Sequence, residues 1–303
     1  MNTPAALPEM DVSARIARLF VYPIKSCAGV EVSEALLTET GLEFDRAWMV
    51  VDEAGRFVSQ RELPRMALIR PQLRQHDLVL RAPGMLALHL ALDAVEGPVE
   101  VTVWSDVAKA YDMGDVAAQW FSDFLNTDAE GRRVAAPQKL RLVRFDPAQQ
   151  RLSNLKWTGG VEAPNQFSDG FPVLVIGEAS LDGLNERLAA AGHGAVGIER
   201  FRPNVVLSGL DAHDEDRLDE LLIATGEGPA RLKMVKPCPR CPIPNIDPAT
   251  AISSPDVSDT LQAYRQVAVV GGAIAFGMNA IVLDGVDFAL RTGQGAAADY
   301  KFE

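Results

Sequence analysis

The sequence predicts a strand-rich α+β fold, with a β-rich N-terminal domain followed by a barrel-like domain. Short segments rich in β-branched and aromatic residues recur along the whole chain. Helical segments are fewer and do not alternate strictly with these strands, so a doubly wound parallel sheet is not expected. The length of 303 residues allows one large domain or two ordinary ones.

Strands dominate the first 125 or so residues. The segment RIARLFVYPI (15–24) is β-branched, aromatic and ends near a proline, and VEVTVWS (99–105) alternates as a half-buried strand does. WMVVD and RFVSQ, which flank Glu53-Ala54-Gly55, have the pattern of a hairpin. GDVAAQWFSDFLN (114–126) is predicted to be a helix, with one apolar face formed by Val116, Trp120, Phe121 and Phe124.

A polar segment without periodicity, NTDAEGRRVAAPQ (126–138), is the expected connection between two domains, 12–130 and 131–303. Beyond it, FPVLVIG (171–177) is predicted to be a buried strand, and residues 178–192 to be a helix that Ser180 caps. Further strands are predicted in NVVLSG, ARLKMVKP and AVVGGAIAFGMNAIVL. PATAISSPDVSD (248–259) is expected to be a long polar loop.

Charge and cysteine content limit the classes of function. The 29 basic and 41 acidic residues give a net charge of −12, which argues against nucleic-acid or anionic-membrane partners. Three cysteines cannot form a secreted disulfide framework. The chain has no signal-peptide pattern and no apolar stretch long enough to span a bilayer. We therefore expect a cytoplasmic protein.

The motif KPCPRCPIPNIDP (236–248) contains two of the three cysteines, Cys238 and Cys241. A zinc site or an iron–sulfur cluster usually needs about four protein ligands. The remaining candidates, Cys27 and four scattered histidines, do not complete such a set with Cys238 and Cys241. The prolines after Cys241 work against the helix that follows a thioredoxin-like dithiol. Two interpretations remain: two buried reduced cysteines, or one exposed thiolate made acidic by Lys236 and Arg240. A thiolate of that kind suits a soft metal.

Several cationic and amide side chains occur at strand ends, where surface or structural roles are also common. They are Lys25 and Ser26 in YPIKSC, Arg46 in FDRAW, and Arg202 and Asn204 in ERFRPN. If their loops converge, they form a phosphate-binding pocket. Neither of the common glycine-rich nucleotide-binding motifs is present. Asp169 in FSDGFP and Asp247 in NIDP stand in tight turns, where a cap or an Asx-turn is the simpler interpretation.

Together these segments resemble the MOSC-domain family of molybdenum-cofactor proteins, including its N-terminal β-barrel domain. The resemblance covers about residues 15–290 and is closest to the mitochondrial amidoxime-reducing components and their bacterial counterparts. It is carried by LFVYPIKSCAGVEVSEALLTETGLEFDRAWMVVD, FSDGFPVLVIGEASLDGLNERL, ERFRPNVVLSG and KPCPRCPIPNIDPAT.

The resemblance implies a bound molybdenum cofactor (Mo-molybdopterin) with Cys241 as the protein ligand of the metal. Asp169 lies where the family has a polar group near the open side of the metal, and is a candidate proton relay. Two positions depart from the family: Ala251 replaces a glycine, so that its loop is expected to differ in shape, and Asn279 replaces a tyrosine. The residues matching cofactor-binding positions are Lys25, Ser26, Arg46, Arg202, Asn204 and Arg240, with Asn279 as a further candidate.

The implied function is reduction of N-hydroxylated compounds, N–OH to N–H, by abstraction of the oxygen at molybdenum. The sequence contains no second redox centre, so an external protein, either ferredoxin-like or a flavin reductase, is expected to supply electrons. The alternative is a sulfur-carrier or cofactor-handling protein that uses a persulfide on Cys241. The Cys-x-x-Cys motif alone does not decide between them.

Overall fold

A computed structural model gives the structure and describes residues 7–128 and 131–301. Its strands in chain order are β1 (Val12–Val21), β2 (Val30–Val32), β3 (Glu34–Thr38), β4 (Gly41–Leu42), β5 (Trp48–Val51), β6 (Arg70–Leu73), β7 (Asp77–Arg81), β8 (Leu88–Ala91), β9 (Pro98–Val103), β10 (Asp106–Asp112), β11 (Arg141–Phe145), β12 (Arg151–Leu152), β13 (Pro164–Asn165), β14 (Val173–Gly177), β15 (Val205–Ser208), β16 (Leu218–Ala224), β17 (Pro229–Pro239), β18 (Gln266–Val267), β19 (Ala273–Asp284), β20 (Ala289–Arg291) and β21 (Gly295–Tyr300). Its α-helices are α1 (Asp115–Leu125), α2 (Leu155–Thr158), α3 (Glu178–Ala190) and α4 (Asp256–Gln262).

A closed barrel of seven strands is the largest unit of the fold. Its strands follow the order β14-β15-β1-β21-β16-β17-β19, and β19 pairs with β14 to close the ring. Closure leaves no exposed sheet edge in this ring, since every strand has two neighbours. The strand-rich class with a barrel-like domain, predicted from the sequence, is confirmed.

Successive side chains of β14 point alternately into the barrel core and into an outer layer. Val173 and Val175 belong to one apolar cluster with strands from around the ring, whereas Leu174 and Ile176 belong to another. Side chains two residues apart share a face of a strand, so the first cluster fills the barrel and the second covers it. In the outer layer α3 and α4 pack against each other.

The N-terminal strand lies within the barrel of the C-terminal region. β1 pairs with β15 on one side and β21 on the other. Conversely, a strand from the C-terminal range lies in a sheet of the N-terminal region: β11, which follows residue 130, pairs with β5 and β10 in a four-stranded sheet with β9. The ranges 12–130 and 131–303 therefore do not separate the sheets, because strand periodicity does not reveal the pairing partner. As a division into domains they stay a prediction, and residues 129–130 of the connection lie outside the described part.

The helix α1 packs on β11 and spans nearly the segment predicted for it. Trp120, Phe121 and Phe124 are buried as expected. Val116 is 75% exposed, so its assignment to the apolar face was wrong. It stands in the first turn of the helix, just before the buried face formed by Ala117, Trp120 and Phe121.

Two further local predictions need correction. Ser180 is not the cap of α3, which follows Gly177; the Ser180 hydroxyl instead donates to Glu215 at 2.7 Å. The predicted loop 248–259 contains the start of α4, which begins at Asp256 directly after Pro255, whose φ of −72° is already helical. No helix in residues 7–128 and 131–301 is long and apolar enough to cross a membrane.

Strand register aligns four side chains from four segments in the outer layer. Leu174 pairs with Asn279, and Asn279 pairs with Lys236. The Asn204 backbone N–H donates to the Leu174 carbonyl at 2.8 Å. Leu174, Asn204 and Asn279 of this row line the pocket that contains the site.

Gly277 provides a test of barrel closure. It lies in β19 with φ +79°, and a Cβ there would meet Ile176 Cγ1 at 2.5 Å and the Val175 carbonyl at 2.9 Å. We expect Gly277→Ala to lower the free energy of unfolding by about 3 kcal/mol, because backbone strain and a clash add together. Gly271→Ala is the matched control, with φ +73° and no atom within 4 Å, and it should cost about 1–2 kcal/mol. Urea unfolding measures both, and equal losses would contradict the account.

Candidate functional site

One pocket is lined by all nine residues that the sequence analysis selected: Lys25, Ser26, Arg46, Asp169, Arg202, Asn204, Arg240, Cys241 and Asn279. They come from the loops after β1 and β17, from the turns before β5, β14 and β15, and from β19. Their convergence satisfies the condition set for a phosphate-binding pocket. The roles assigned to the individual residues stay predictions.

The two cysteines of the motif have different surroundings. Cys238 Sγ accepts a hydrogen bond from Arg240 Nη1 at 3.1 Å, and the side chain packs against the outer apolar cluster. Cys241 is half-buried, and its thiol has no hydrogen-bond partner in the described part of the chain. The cysteines are not joined by a disulfide. Of the two thiols, Cys241 is the one left free to bind a ligand.

Metal-ligating side chains do not gather elsewhere. Within residues 7–128 and 131–301, no three His, Cys, Asp or Glu side chains form a group that could hold a metal ion. Cys27 is fully buried, and burial raises the pKa of its thiol to about 12, so that it stays protonated at neutral pH. A metal at this site would therefore depend on one protein thiolate and on ligands from a cofactor.

Two guanidinium groups flank the ring of Tyr22. The Cζ atoms of Arg46 and Arg202 lie 4.4 Å and 4.2 Å from the ring centroid. Arg46 pairs with the buried Asp45, whereas Arg202 donates through Nη1 to the Cys27 carbonyl at 2.6 Å. Burial, together with the neighbouring Arg46 charge, lowers the pKa of Arg202 to about 10. Among the residues that the structure describes, Arg202 is thus a cation in the pocket without a carboxylate partner.

Buried donors without partners indicate what kind of group the pocket fits. Arg202 Nη2 and Arg240 Nε are both buried and lack a hydrogen-bond acceptor in the described residues. Leaving a buried donor unpaired is costly, more so for a charged group. An anionic, acceptor-rich group such as a pterin phosphate would pair with them. The residues therefore fit the tail of a molybdenum cofactor.

The two asparagines differ in what they leave free. The Asn204 side chain accepts from the Leu174 N–H at 3.1 Å and donates to the Phe20 carbonyl at 3.2 Å, so it braces strand ends. Asn279 donates to the Lys236 carbonyl at 3.2 Å, and its side-chain oxygen has no partner in the described residues. Asn279 can thus accept a hydrogen bond from a ligand.

Lys25 and Asp169 form an ion pair at the pocket wall. Lys25 is 5% exposed and also donates to the Phe167 carbonyl at 2.8 Å. Burial lowers the pKa of the Lys25 ammonium, and Asp169 partly opposes this. Burial alone would raise the pKa of the Asp169 carboxyl. The Lys25 charge and the hydrogen bonds from Lys25 and the Trp104 indole outweigh this effect, so the pKa of Asp169 is well below its usual range. At neutral pH the proton is therefore on Lys25.

Four non-glycine residues of the pocket have φ angles in the left-handed region. The φ angles are 67° for Ser26, 51° for Arg46, 56° for Trp104 and 59° for Arg202. Each such residue costs about 1–2 kcal/mol. Conformations of this kind concentrate at functional sites, where the surrounding structure holds them in place.

The loop after Cys241 keeps the conformation that a glycine would take. Ala251 has φ 61°, in the left-handed region, and its N–H donates to the Asp247 carbonyl at 2.8 Å. Asp247 Oδ1 accepts from the Ala249 N–H at 2.7 Å, so the predicted Asx-turn is present. Alanine at 251 therefore does not prevent the left-handed turn.

Sequence reasoning missed the wall that the N-terminal region contributes. Phe57, Ser59, Arg61 and Trp104 line the same pocket. Phe57 and Ser59 lie in a segment predicted only as a strand, and Trp104 follows β9 in the turn before β10. No local pattern distinguishes such residues from ordinary half-exposed strand residues, so only the tertiary structure identifies them.

Comparisons with known proteins identify the family of this chain. Residues 13–128 match the MOSC N-terminal beta barrel domain, and residues 162–294 match the MOSC domain. The chain is 35% identical over 269 residues to mitochondrial amidoxime reducing component 2 of Rattus norvegicus, and 36% identical over 259 residues to its Homo sapiens counterpart. Each of these alignments covers 82% of this chain and 72% of the relative.

A relative with a different name matches more distantly. Molybdenum cofactor sulfurase of Bos taurus is 29% identical over 280 residues, with 86% of this chain but 30% of that protein covered. The identities over most of the chain, and the two matched domains, confirm the resemblance found in the sequence. This chain belongs to the MOSC-domain family that includes the mitochondrial amidoxime-reducing components.

Proposed function

We propose that this protein is a molybdenum-cofactor-dependent oxidoreductase that reduces N-hydroxylated compounds to the corresponding N–H compounds. The observation that carries the proposal is a free thiol, Cys241, in one pocket with two buried guanidinium nitrogens that have no hydrogen-bond partner among the described residues. Relatives named amidoxime-reducing components, at 35–36% identity, support the same chemistry at the level of the family.

The chain provides distinct groups for distinct parts of the cofactor. The Cys241 thiolate would ligate molybdenum, since soft sulfur ligands suit this kind of metal. Arg202 and Arg240 would donate to the anionic tail through the nitrogens that lack partners, and the Asn279 oxygen would accept from a ring N–H. When bound, the cofactor supplies the two electrons that break the N–O bond.

Protons are the part of the reaction that this chain supplies. Reduction of N–OH to N–H consumes two electrons and two protons and releases water. Lys25 holds one of these two protons at Nζ, beside the ionised Asp169, in a pocket-lining position, and solvent water supplies the second. Burial lowers the pKa of this ammonium below its ordinary value, which makes Lys25 a better proton donor. Asp169 then acts by keeping Lys25 charged and oriented.

We propose that the electrons come from another protein. Three cysteines in this sequence are fewer than the four thiolates that an iron–sulfur cluster usually needs, which supports an external source. We propose a ferredoxin-like or flavin-containing reductase as the donor. The cytoplasm is the location proposed, on the basis of the scarcity of cysteines.

A sulfur-transfer role is the second candidate. It is favoured by the molybdenum cofactor sulfurase relative, although that match covers 30% of the sulfurase. The free thiol of Cys241 would then carry a persulfide. A transient sulfur carrier does not require bound molybdenum, which makes metal content the discriminating property.

The cysteine pair gives the direct test of this function. Protein from a host that makes molybdenum cofactor should contain near one molybdenum per chain by elemental analysis. Cys241→Ser should lose the metal and the reduction of benzamidoxime with an artificial donor. Cys238→Ser is the matched control and should keep the metal and at least part of the activity, because this thiol is hydrogen-bonded to Arg240.

Each other outcome has a defined meaning. Equal loss of activity from both cysteine changes would favour a dithiol mechanism. Wild-type protein without molybdenum, but with a persulfide on Cys241 by mass spectrometry, would favour sulfur transfer.

The Lys25–Asp169 pair predicts a pH dependence. Activity that needs protonated Lys25 is lost as pH rises through the pKa of this ammonium. Asp169→Asn removes the charge that opposes the effect of burial, so the pKa falls further and the alkaline loss of kcat should begin at lower pH. Asp287→Asn, in an exposed turn, is the control and should leave the profile unchanged. An Asp169→Asn enzyme with the wild-type pH profile would refute the assignment.

A further inference from the structure

Trp104 forms part of the pocket rim and is unusually exposed for its size. It is 47% exposed and stands in the turn between β9 and β10 with φ 56°. Its indole N–H donates to Asp169 Oδ1 at 3.1 Å, and its ring meets the Phe57 ring at 5.0 Å between centroids. A strained backbone and two contacts thus hold an aromatic surface beside the proton-supplying pair. Such a surface suits packing against a flat substrate group.

Arg61 lies against this aromatic surface. Its Cζ atom is 4.6 Å from the Trp104 ring centroid, and its Nε donates to Ser59 Oγ at 3.1 Å. Across residues 7–128 and 131–301, its two terminal nitrogens have no hydrogen-bond acceptor, and no carboxylate lies within ion-pair distance. The neighbouring Glu62 accepts from Ser59 at 2.7 Å instead. Arg61 therefore offers a guanidinium fork with both terminal nitrogens available.

The other pocket arginines have different surroundings. Arg202 and Arg240 come from the C-terminal region, where Arg202 donates to the Cys27 carbonyl and Arg240 to the Phe201 carbonyl. Arg61 comes from the N-terminal region and is only half-buried. It contacts Trp104, which is itself partly exposed, so this part of the pocket lining is accessible from solvent.

We propose that Arg61 and Trp104 select N-hydroxylated substrates that carry a flat conjugated ring with an acidic group remote from the N–OH group. Trp104 packs against the ring, and the Arg61 fork binds the acidic group, which a planar guanidinium matches in a bidentate way. This inference rests on the proposed function, since it names the substrate class of the same pocket.

A pair of substrates tests the selection. Benzamidoxime and 4-carboxybenzamidoxime differ by the acidic group, and kcat/KM for each is measured with molybdenum-loaded protein and an artificial electron donor. We expect the wild type to prefer the acidic substrate by about tenfold or more. Arg61→Gln should bring the ratio close to one, mainly through KM for the acidic substrate. Arg56→Gln is the matched control and should keep the wild-type ratio, because Arg56 is 72% exposed and paired with Asp52 at 2.8 Å.

The possible outcomes distinguish failure of this inference from failure of the proposed reductase function. Reduction of neither compound by the molybdenum-loaded wild type would overturn the proposed function and this inference with it. Reduction of both, with the same ratio in wild type and Arg61→Gln, would overturn the inference alone. Loss of molybdenum from Arg61→Gln would also overturn it, because Arg61 would then serve the cofactor.

Discussion

The pairing of β1 with β15 and β21 is the constraint on which the rest of the site depends. It makes the first strand of the chain one of the seven strands of the barrel. The residues that follow β1, Lys25 and Ser26, are thereby held beside Cys241, more than 200 positions later in the chain. Arg46 strengthens the same junction by donating to the Arg202 carbonyl at 3.1 Å. Neither half of the chain contains the pocket by itself.

Electrostatics then decides what the pocket attracts. The whole chain has a net charge of −12, yet the pocket is lined by five cations and a single carboxylate, Asp169. Asp169 is already engaged with Lys25, and Asp45 with Arg46. The remaining three cations, Arg61, Arg202 and Arg240, have no carboxylate partner in the described residues. A locally basic pocket in an acidic protein concentrates anionic groups at one place.

The sequence predicted the strand-rich class from its local patterns, and it predicted the nine pocket residues from its motifs together with the family that these motifs resemble. It did not predict the pairing of β1 within the barrel or the position of β11 in the second sheet, since periodicity identifies a strand but not its neighbour. The sequence predicted Ser180 as a helix cap, but its hydroxyl donates a hydrogen bond to the buried Glu215 instead. Trp104 and Arg61 gave no signal at all, because their importance comes from the pocket that they face. Only the contacts of the two side chains in the structure indicate that the proton of the Lys25–Asp169 pair lies on Lys25.

We propose that Cys241 alone among the cysteines ligates molybdenum. X-ray absorption at the molybdenum edge counts the sulfur atoms bound to the metal. The account predicts three in the wild type, two from the cofactor dithiolene and one from Cys241, and the same three in Cys238→Ser. Two sulfur atoms in the wild type, or the loss of one in Cys238→Ser, would contradict it.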